Sequence, residues 1–314
     1  MDGIAELVAA GFGLGAPLGE LSPVARGEQG QVWRLDTGQG SYAVKESFEL
    51  SSEIEAAADV SFQEAVLASS SVSMPRPIRT ATGTVLATIA GRQVRAYEWF
   101  DLLPTDYEFD AVAIGDTIAA IHRVQHEPAR PLHPWYTDPV GKSTWHDLSR
   151  RLTEARAPFA DGFAAEVPML VALEALIEPR QNLQNCHRDL FADNILPKVH
   201  GGICVIDWEN CGLEEPGQEL GVVLFDFTVG NPERSRRLYD AYVDAGGPGR
   251  LTHRGAFSML IAQFGHFFES AAEEWLDPSS SQEDREHASG RFDELFAKPL
   301  TLDRIDEILD AVSG

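Results

Sequence analysis

Three oxygen-bearing side chains stand at short, defined spacings in the middle of the chain: Asp189, Asn194 five residues later, and Asp207 thirteen residues after that. They belong to His187-Arg188-Asp189-Leu190-Phe191-Ala192-Asp193-Asn194 and to Ile206-Asp207-Trp208-Glu209. The spacing constrains the fold because the three groups make chemical sense only together. One carboxylate can orient an attacking hydroxyl and accept its proton. The amide and the other carboxylate can hold magnesium ions that neutralise charge developing on a transferred phosphoryl group.

The upstream sequence supplies the remaining parts in a consistent order. Val24 to Leu35 reads as strand, glycine-containing turn and strand, with Gly27 and Gly30 in the turn. Thr37-Gly38-Gln39-Gly40 is a hairpin turn, and Ser41-Tyr42-Ala43-Val44-Lys45-Glu46 is a third strand carrying one lysine. Lys45 suits nucleotide phosphates, and its ammonium needs a carboxylate partner. Glu64 is the expected partner. It lies in a helical stretch from Ser52 to about Ser69, where Ser51 or Ser52 caps the first turn. Ala57, Val60, Leu67 and Ala68 share its side at helical spacing, so that face is expected to turn inward. Glu53 and Glu55 sit at the helix start, where acids complement the macrodipole.

The spacing H-x-D-x-x-x-x-N matches the catalytic loop of protein-kinase-like enzymes. With CHRDLFADNIL, VIDWE and YAVKE, the chain resembles the aminoglycoside phosphotransferase family, the bacterial small-molecule branch of that fold, from about Leu21 to about Gly221. Ala119-Ala120-Ile121-His122 and Glu215-Pro216-Gly217-Gln218-Glu219-Leu220 are similar to two further family segments. The resemblance implies an α+β, two-lobed fold: a small antiparallel-sheet lobe with one helix over residues 1–100, a hinge at about 97–102, and a mainly helical lobe over 101–314. It implies Asp189 as catalytic base, Asn194 and Asp207 as metal ligands, and Lys45 with Glu64 as the phosphate-side pair. Gly27 and Gly30 would cover the phosphates, backbone groups near Glu98 and Phe100 would meet the adenine edge, and Glu219 would brace the catalytic loop. ATP and Mg²⁺ are the implied cofactors, with GTP open. Three features depart from the family pattern: the loop is G-x-x-G, Trp208 and Glu209 follow Asp207 where many relatives have glycine at the second position, and Glu219 replaces an aspartate.

Composition sets further bounds. No apolar run approaches the roughly 20 residues needed to cross a membrane. Met1-Asp2-Gly3-Ile4-Ala5-Glu6 lacks the positive region of a signal peptide, so a cytoplasmic location is expected. Cys186, Cys204 and Cys211 form no C-x-x-C pair and read as reduced thiols. Gly11-Phe12-Gly13-Leu14-Gly15 reads as a loop, because no strand precedes it. The rest should be helical near 110–123, 144–156, 166–177, 219–229, 232–245, 254–275, 281–295 and 302–312, with a loop at 128–141.

Net charge is −24, and between Glu269 and Asp310 thirteen acids face four bases. Nucleic acid, whose phosphates need the opposite sign, is thereby disfavoured as a partner. Most of these acids read as solvated surface. Glu214, Glu215, Glu269, Glu273 and Glu274, beside aromatics, are candidates to draw a cationic hydroxyl acceptor such as an aminoglycoside. Choline, homoserine or an uncharged sugar remain open as acceptors, as does a nucleotide-binding regulator without turnover. His187, His122 and His266 read as structural. Arg188 reads as an ion-pair former toward Glu209 or Glu219. Glu215 follows Asp207 by only eight positions, too few for a regulated activation segment, which argues against a protein substrate. Monomer and homodimer are both compatible with the sequence.

Overall fold

A computed structural model describes residues 3–313, except 28, 29, 49, 129 and 229. Met1 and Asp2, the two inner residues of the G-x-x-G turn (Glu28 and Gln29) and Val229, at the end of an expected helix, lie outside the described residues. The chain forms two compact units, residues 1–131 with 184–213, and residues 132–183 with 214–314.

The first unit is built on an antiparallel sheet. Its strands are β1 (Ser22–Arg26), β2 (Gly30–Thr37), β3 (Gly40–Ser47), β4 (Pro77–Ile78), β5 (Ala87–Ile89) and β6 (Arg92–Glu98). The order is β1-β2-β3-β6-β4, with β5 also on β6. Helix α1 (Ile4–Phe12) buries Ala5, Val8, Ala9 and Phe12, a one-face helical spacing, in a cluster with Leu35, Val44, Ile89, Val94 and Ala96. Gly11 and Phe12, expected in a loop, complete this helix. Gly13 then stops it in the left-handed conformation, φ 67°, donating its N–H to Ala9 O. Gly30 is required for a different reason: a Cβ there would lie 2.4 Å from the Glu46 carbonyl oxygen on β3.

Helix α2 (Glu53–Ser69) starts with a capping box between Ser52 and Glu55. Its buried residues are Ala56, Asp59, Val60, Phe62, Gln63 and Val66. The inward face is therefore rotated from the expected one, and Glu64 is exposed. Helix α3 (Ala111–His122), capped by the Asp110 side chain, precedes the segment that carries the clustered polar residues. That segment contains β7 (Gln184–Cys186), β8 (Ile195–Pro197), β9 (Ile203–Val205) and β10 (Gly212–Glu214). β8 and β9 form a hairpin and β7 pairs with β10.

The second unit is helical: α4 (Pro134–Thr137), α5 (Lys142–Ala155), α6 (Ala160–Glu174), α7 (Pro216–Thr228), α8 (Pro232–Asp244), α9 (Ser258–Leu276), α10 (Gln282–Ala297) and α11 (Leu302–Val312). Helix α4 interrupts the expected loop, with Pro134 at its first turn, where a missing N–H is harmless. Helix α6 begins six residues before the expected start and contains Pro168, because Phe163 anchors the earlier turn in an aromatic core with Trp145, Phe268 and Phe292. Among the described residues no helix is long and apolar enough to cross a membrane.

Candidate active site

The thirteen-residue spacing between Asn194 and Asp207 is the length of a hairpin. Asn194 ends a 3-10 turn (Ala192–Asn194) immediately before β8, and Asp207 follows β9 after one residue. Register Ile195↔Val205 and the bond from Ile206 N–H to Asn194 O, 3.0 Å, bring the two ends together. Asn194 is buried and its Nδ2 donates to the Asp189 carbonyl at 2.9 Å, which ties the five-residue loop to the hairpin. The side-chain amide oxygen and the Asp207 carboxylate are hard donors of the type that suits Mg²⁺ held jointly with phosphates.

Asp207 adopts φ 62°, ψ 56°, and Arg188 also has a positive φ of 68°. For residues other than glycine such conformations cost about 1 kcal/mol or more and persist where surroundings enforce them. At Asp207 the enforcement comes from the next residue. Trp208 is buried, donates Nε1–H to Val205 O at 3.0 Å and packs against Phe62 of α2 and against His187. His187 itself is fully buried, and its Nε2 donates to Ile206 O at 3.0 Å.

Asp189 is partly buried, and its Oδ2 accepts from Asn210 Nδ2 at 3.2 Å. Burial, then the charges of Asp207 and Asp193, raise its carboxyl to about 8. Burial and the Glu209 charge also raise Asp207, to about 6, against the pull of Lys45. A crowded carboxylate set of this kind is short of positive charge, and a divalent cation fits it.

Lys45 projects from β3 into this cluster. Its Nζ donates to Asp207 Oδ1 at 2.6 Å and to Glu209 Oε2. Burial works against the ammonium, but Glu209 and Asp207 hold its pKa above the ordinary lysine value. Burial likewise opposes the Glu209 carboxylate, yet Lys45 and Arg95 keep it well below the usual range. The other Glu209 oxygen accepts from Tyr97 O–H at 2.8 Å.

The pairing of Lys45 with Glu64 is corrected by the structure. Glu64 faces outward and binds Arg79 at 3.0 Å, because the buried face of α2 runs through Asp59 and Gln63 instead. The acid that α2 does turn inward, Asp59, is only 2% exposed and meets Arg95 at 3.4 Å and Arg130 at 2.8 Å. Arg188, expected to pair with Glu209 or Glu219, is turned toward backbone carbonyls. It donates to the carbonyls of Asn210 at 2.6 Å, Pro131 at 3.1 Å and Cys211 at 3.4 Å. Gly212 makes room for it, since a Cβ there would lie 2.5 Å from the guanidinium carbon.

Among the other expected residues, Gly27 N–H donates to Gly30 O at 2.9 Å and closes the turn between β1 and β2. Glu98 ends β6 and donates its N–H to Arg76 O at 2.9 Å, while Phe100 lies two residues beyond in irregular chain. Glu219 is fully buried on α7 in the second unit. Sequence reasoning missed Asn210, Tyr97 and the paired role of Glu209. The one available signal was an acid two residues after Asp207, where a glycine is common.

In the second unit, the acids considered for a cationic acceptor all have internal partners. Glu214 is buried against Arg180 at 2.7 Å, and Glu215 accepts from Gln181 N–H at 2.8 Å. Glu269 binds His266 at 2.8 Å, Glu273 binds Arg151 at 2.6 Å and Glu274 binds Arg291 at 3.2 Å. His266 also stacks on Trp135, ring centroids 5.1 Å apart.

Residues 20–257 match the model of the phosphotransferase enzyme family, APH. No curated protein matches the chain. Among solved structures it is similar to spectinomycin phosphotransferase APH(9)-Ia in complex with ADP and spectinomycin, with TM-score 0.72 and 17% identity over 99% of this chain and 97% of that one. It is also similar to an aminoglycoside phosphotransferase from Alicyclobacillus acidocaldarius, with TM-score 0.61 and 15% identity over 96% and 95%. Amicoumacin kinase hAmiN, solved in complex with AMP-PNP, Ca²⁺ and Ami, aligns with TM-score 0.58 and 14% identity over 94% and 93%. These similarities give the protein-kinase-like fold. With the family match covering most of its length, the chain belongs to the phosphotransferase enzyme family and is an ATP-dependent phosphotransferase with an alcohol group as acceptor.

Proposed function

We propose that the protein transfers the γ-phosphoryl group of Mg-ATP to a hydroxyl of a small molecule, with Asp189 as the base. The observation that carries this reading is the convergence of Lys45, Asp189, Asn194 and Asp207 within the first compact unit. Asp189 would orient the hydroxyl and take its proton. Asn194 and Asp207 would hold Mg²⁺, which when bound neutralises charge on the phosphoryl oxygens. Lys45 would hold phosphate oxygens, the Gly27–Gly30 turn would cover them, and backbone groups at Glu98 and Phe100 would meet the adenine edge. In this division of labour residues 1–100 bind nucleotide and 101–314 carry the catalytic loop and acceptor site. The six-stranded sheet, which lies entirely within the first hundred residues, supports it.

The acceptors to test first are cationic aminoglycoside-like antibiotics. A net charge of −24 favours the approach of cations, and the phosphotransferase of similar fold was solved in complex with spectinomycin. Choline, homoserine and neutral sugars form the second group. The internal partners of the five acids weigh toward this second group, because none of those carboxylates faces an acceptor uncommitted. The decisive experiment is acceptor-stimulated ADP release from Mg-ATP across both groups. A cationic acceptor should show a KM that rises with ionic strength, since screening acts over about 10 Å at 0.1 M salt. Efficient turnover of a neutral sugar with a salt-independent KM would reject the cationic acceptor and keep the kinase.

A further inference from the structure

We propose that Glu209, steadied by Tyr97, is the residue that positions Lys45 for nucleotide phosphate, in place of a carboxylate from α2. The inference rests on the assignment of Lys45 to nucleotide phosphate made above.

The sheet register sets up the arrangement. On the paired strands β3 and β6, Lys45 lies opposite Arg95 and Ala43 opposite Tyr97. Side chains two apart on a strand share a face, so Lys45 and Tyr97 emerge on the same side of the sheet. Glu209 takes one donor from each strand: the ammonium on Oε2 and the phenol on Oε1. Both carboxylate oxygens are thereby fixed, which leaves the group little freedom to turn away.

Two comparisons separate Glu209 from the other acids near Lys45. Helix α2 offers none, because Glu64 is bound to Arg79 outside, Asp59 to Arg95 and Arg130 inside, and Glu53 and Glu55 accept from Val85, Leu86 and Ser52 at the helix start. Asp207 does reach Lys45, but its side chain is 32% exposed against 12% for Glu209. Asp207 is thus the oxygen donor open to an arriving metal, and Glu209 is the one that stays. An ammonium has three donors, so Lys45 held by Glu209 alone keeps two for phosphate oxygens.

The consequence is an economy of parts. A single turn, Asp207–Asn210, supplies a metal-facing carboxylate, the Lys45 partner, and through Asn210 the donor that fixes Asp189. In this chain the phosphate lysine is set by the same turn as the candidate metal site, with no carboxylate from α2.

The test is calorimetric titration of Mg-ATP into the full-length protein and its variants. Loss of one charge-assisted contact corresponds to roughly tenfold or more in affinity. Glu209→Gln should therefore weaken Mg-ATP by about tenfold, whereas Glu64→Gln should stay within about twofold of wild type. On a Lys45→Met background Glu209→Gln should add almost nothing, since its effect passes through the lysine; a merely structural role would persist there undiminished. Tyr97→Phe removes only the phenol oxygen and should bind about threefold more weakly, again with no further loss beside Lys45→Met. It serves as the second variant should Glu209→Gln fold poorly. Loss of affinity in Glu64→Gln equal to that in Glu209→Gln would overturn the proposal. So would recovery of Glu209→Gln by excess Mg²⁺, which would make Glu209 a metal ligand. Unaltered Mg-ATP affinity in Lys45→Met would instead defeat the nucleotide assignment of Lys45 itself.

Discussion

Replacing Asp189 by asparagine alters one atom in the structure and removes one function. The amide is nearly isosteric, so its oxygen can still accept from Asn210, now at 3.2 Å from the carboxylate. The Asp189 carbonyl that receives Asn194 Nδ2 at 2.9 Å is backbone and is untouched. One negative charge also leaves a cluster in which Asp207 and Asp193 already oppose its ionisation. Fold stability should therefore be retained, with a melting temperature no lower than wild type. Turnover should fall at least about a hundredfold, the lower end for a positioned general base, or about 2.7 kcal/mol in the barrier. The assay is single-turnover phosphotransfer from Mg-ATP to an identified acceptor, with Mg-ATP affinity measured in parallel and expected within about threefold of wild type. Near wild-type turnover would refute the role given to Asp189. A collapse of nucleotide binding together with turnover would refute the separation of base from nucleotide site.

Asp207→Ala should weaken Mg-ATP by about tenfold or more while affecting metal-free ATP much less; equal losses in calorimetry would count against a metal-ligand role. Arg180→Met strands Glu214, which is fully buried, and should lower stability by about 3–5 kcal/mol in urea unfolding. The double change Arg180→Met with Glu214→Leu should recover most of that loss, and no recovery would contradict the account. Asp59 gives a pH signature: burial, outweighing Arg130 and Arg95, raises its carboxyl from 3.8 to about 7. The folded state then holds a proton that the unfolded chain releases, so this group's stabilisation is complete below about pH 4 and lost as pH rises through 7. The span is worth at most about 4 kcal/mol. Melting curves from pH 5 to 8 should decline less steeply for Asp59→Asn than for wild type, and parallel slopes would show that Asp59 stays ionised between its arginines.

Local grammar made much of the first unit legible. Alternating strands, the Gly38–Gly40 hairpin, the Ser52 cap and the spacing from Asp189 through Asn194 to Asp207 all act over a few residues, where chain geometry alone decides. The hairpin β8–β9 illustrates this, because thirteen residues folded once must return Asp207 to Asn194. What stayed ambiguous was which face of α2 turns inward. Ala57, Val60, Leu67 and Ala68 make a plausible apolar stripe beside Glu64, and Ala56, Val60 and Val66 make another. The polar residue Asp59 counts against the second stripe in any sequence reading, and only the buried arginines of the folded unit reverse that judgement.

The partner of Lys45 shows the same division most sharply. That a buried lysine on β3 needs a carboxylate follows from charge and burial, and the sequence determined this by itself, together with the residues able to perform phosphoryl transfer. Which carboxylate it receives depends on a contact 164 positions away, made because the turn after Asp207 is pressed into place by Trp208 against Phe62 and His187. The same holds for Glu273 and Glu274 of the second unit, whose arginine partners Arg151 and Arg291 lie on other helices. Electrostatic need is written residue by residue, but its satisfaction is a property of distance, and distance between remote segments exists only once the core has packed.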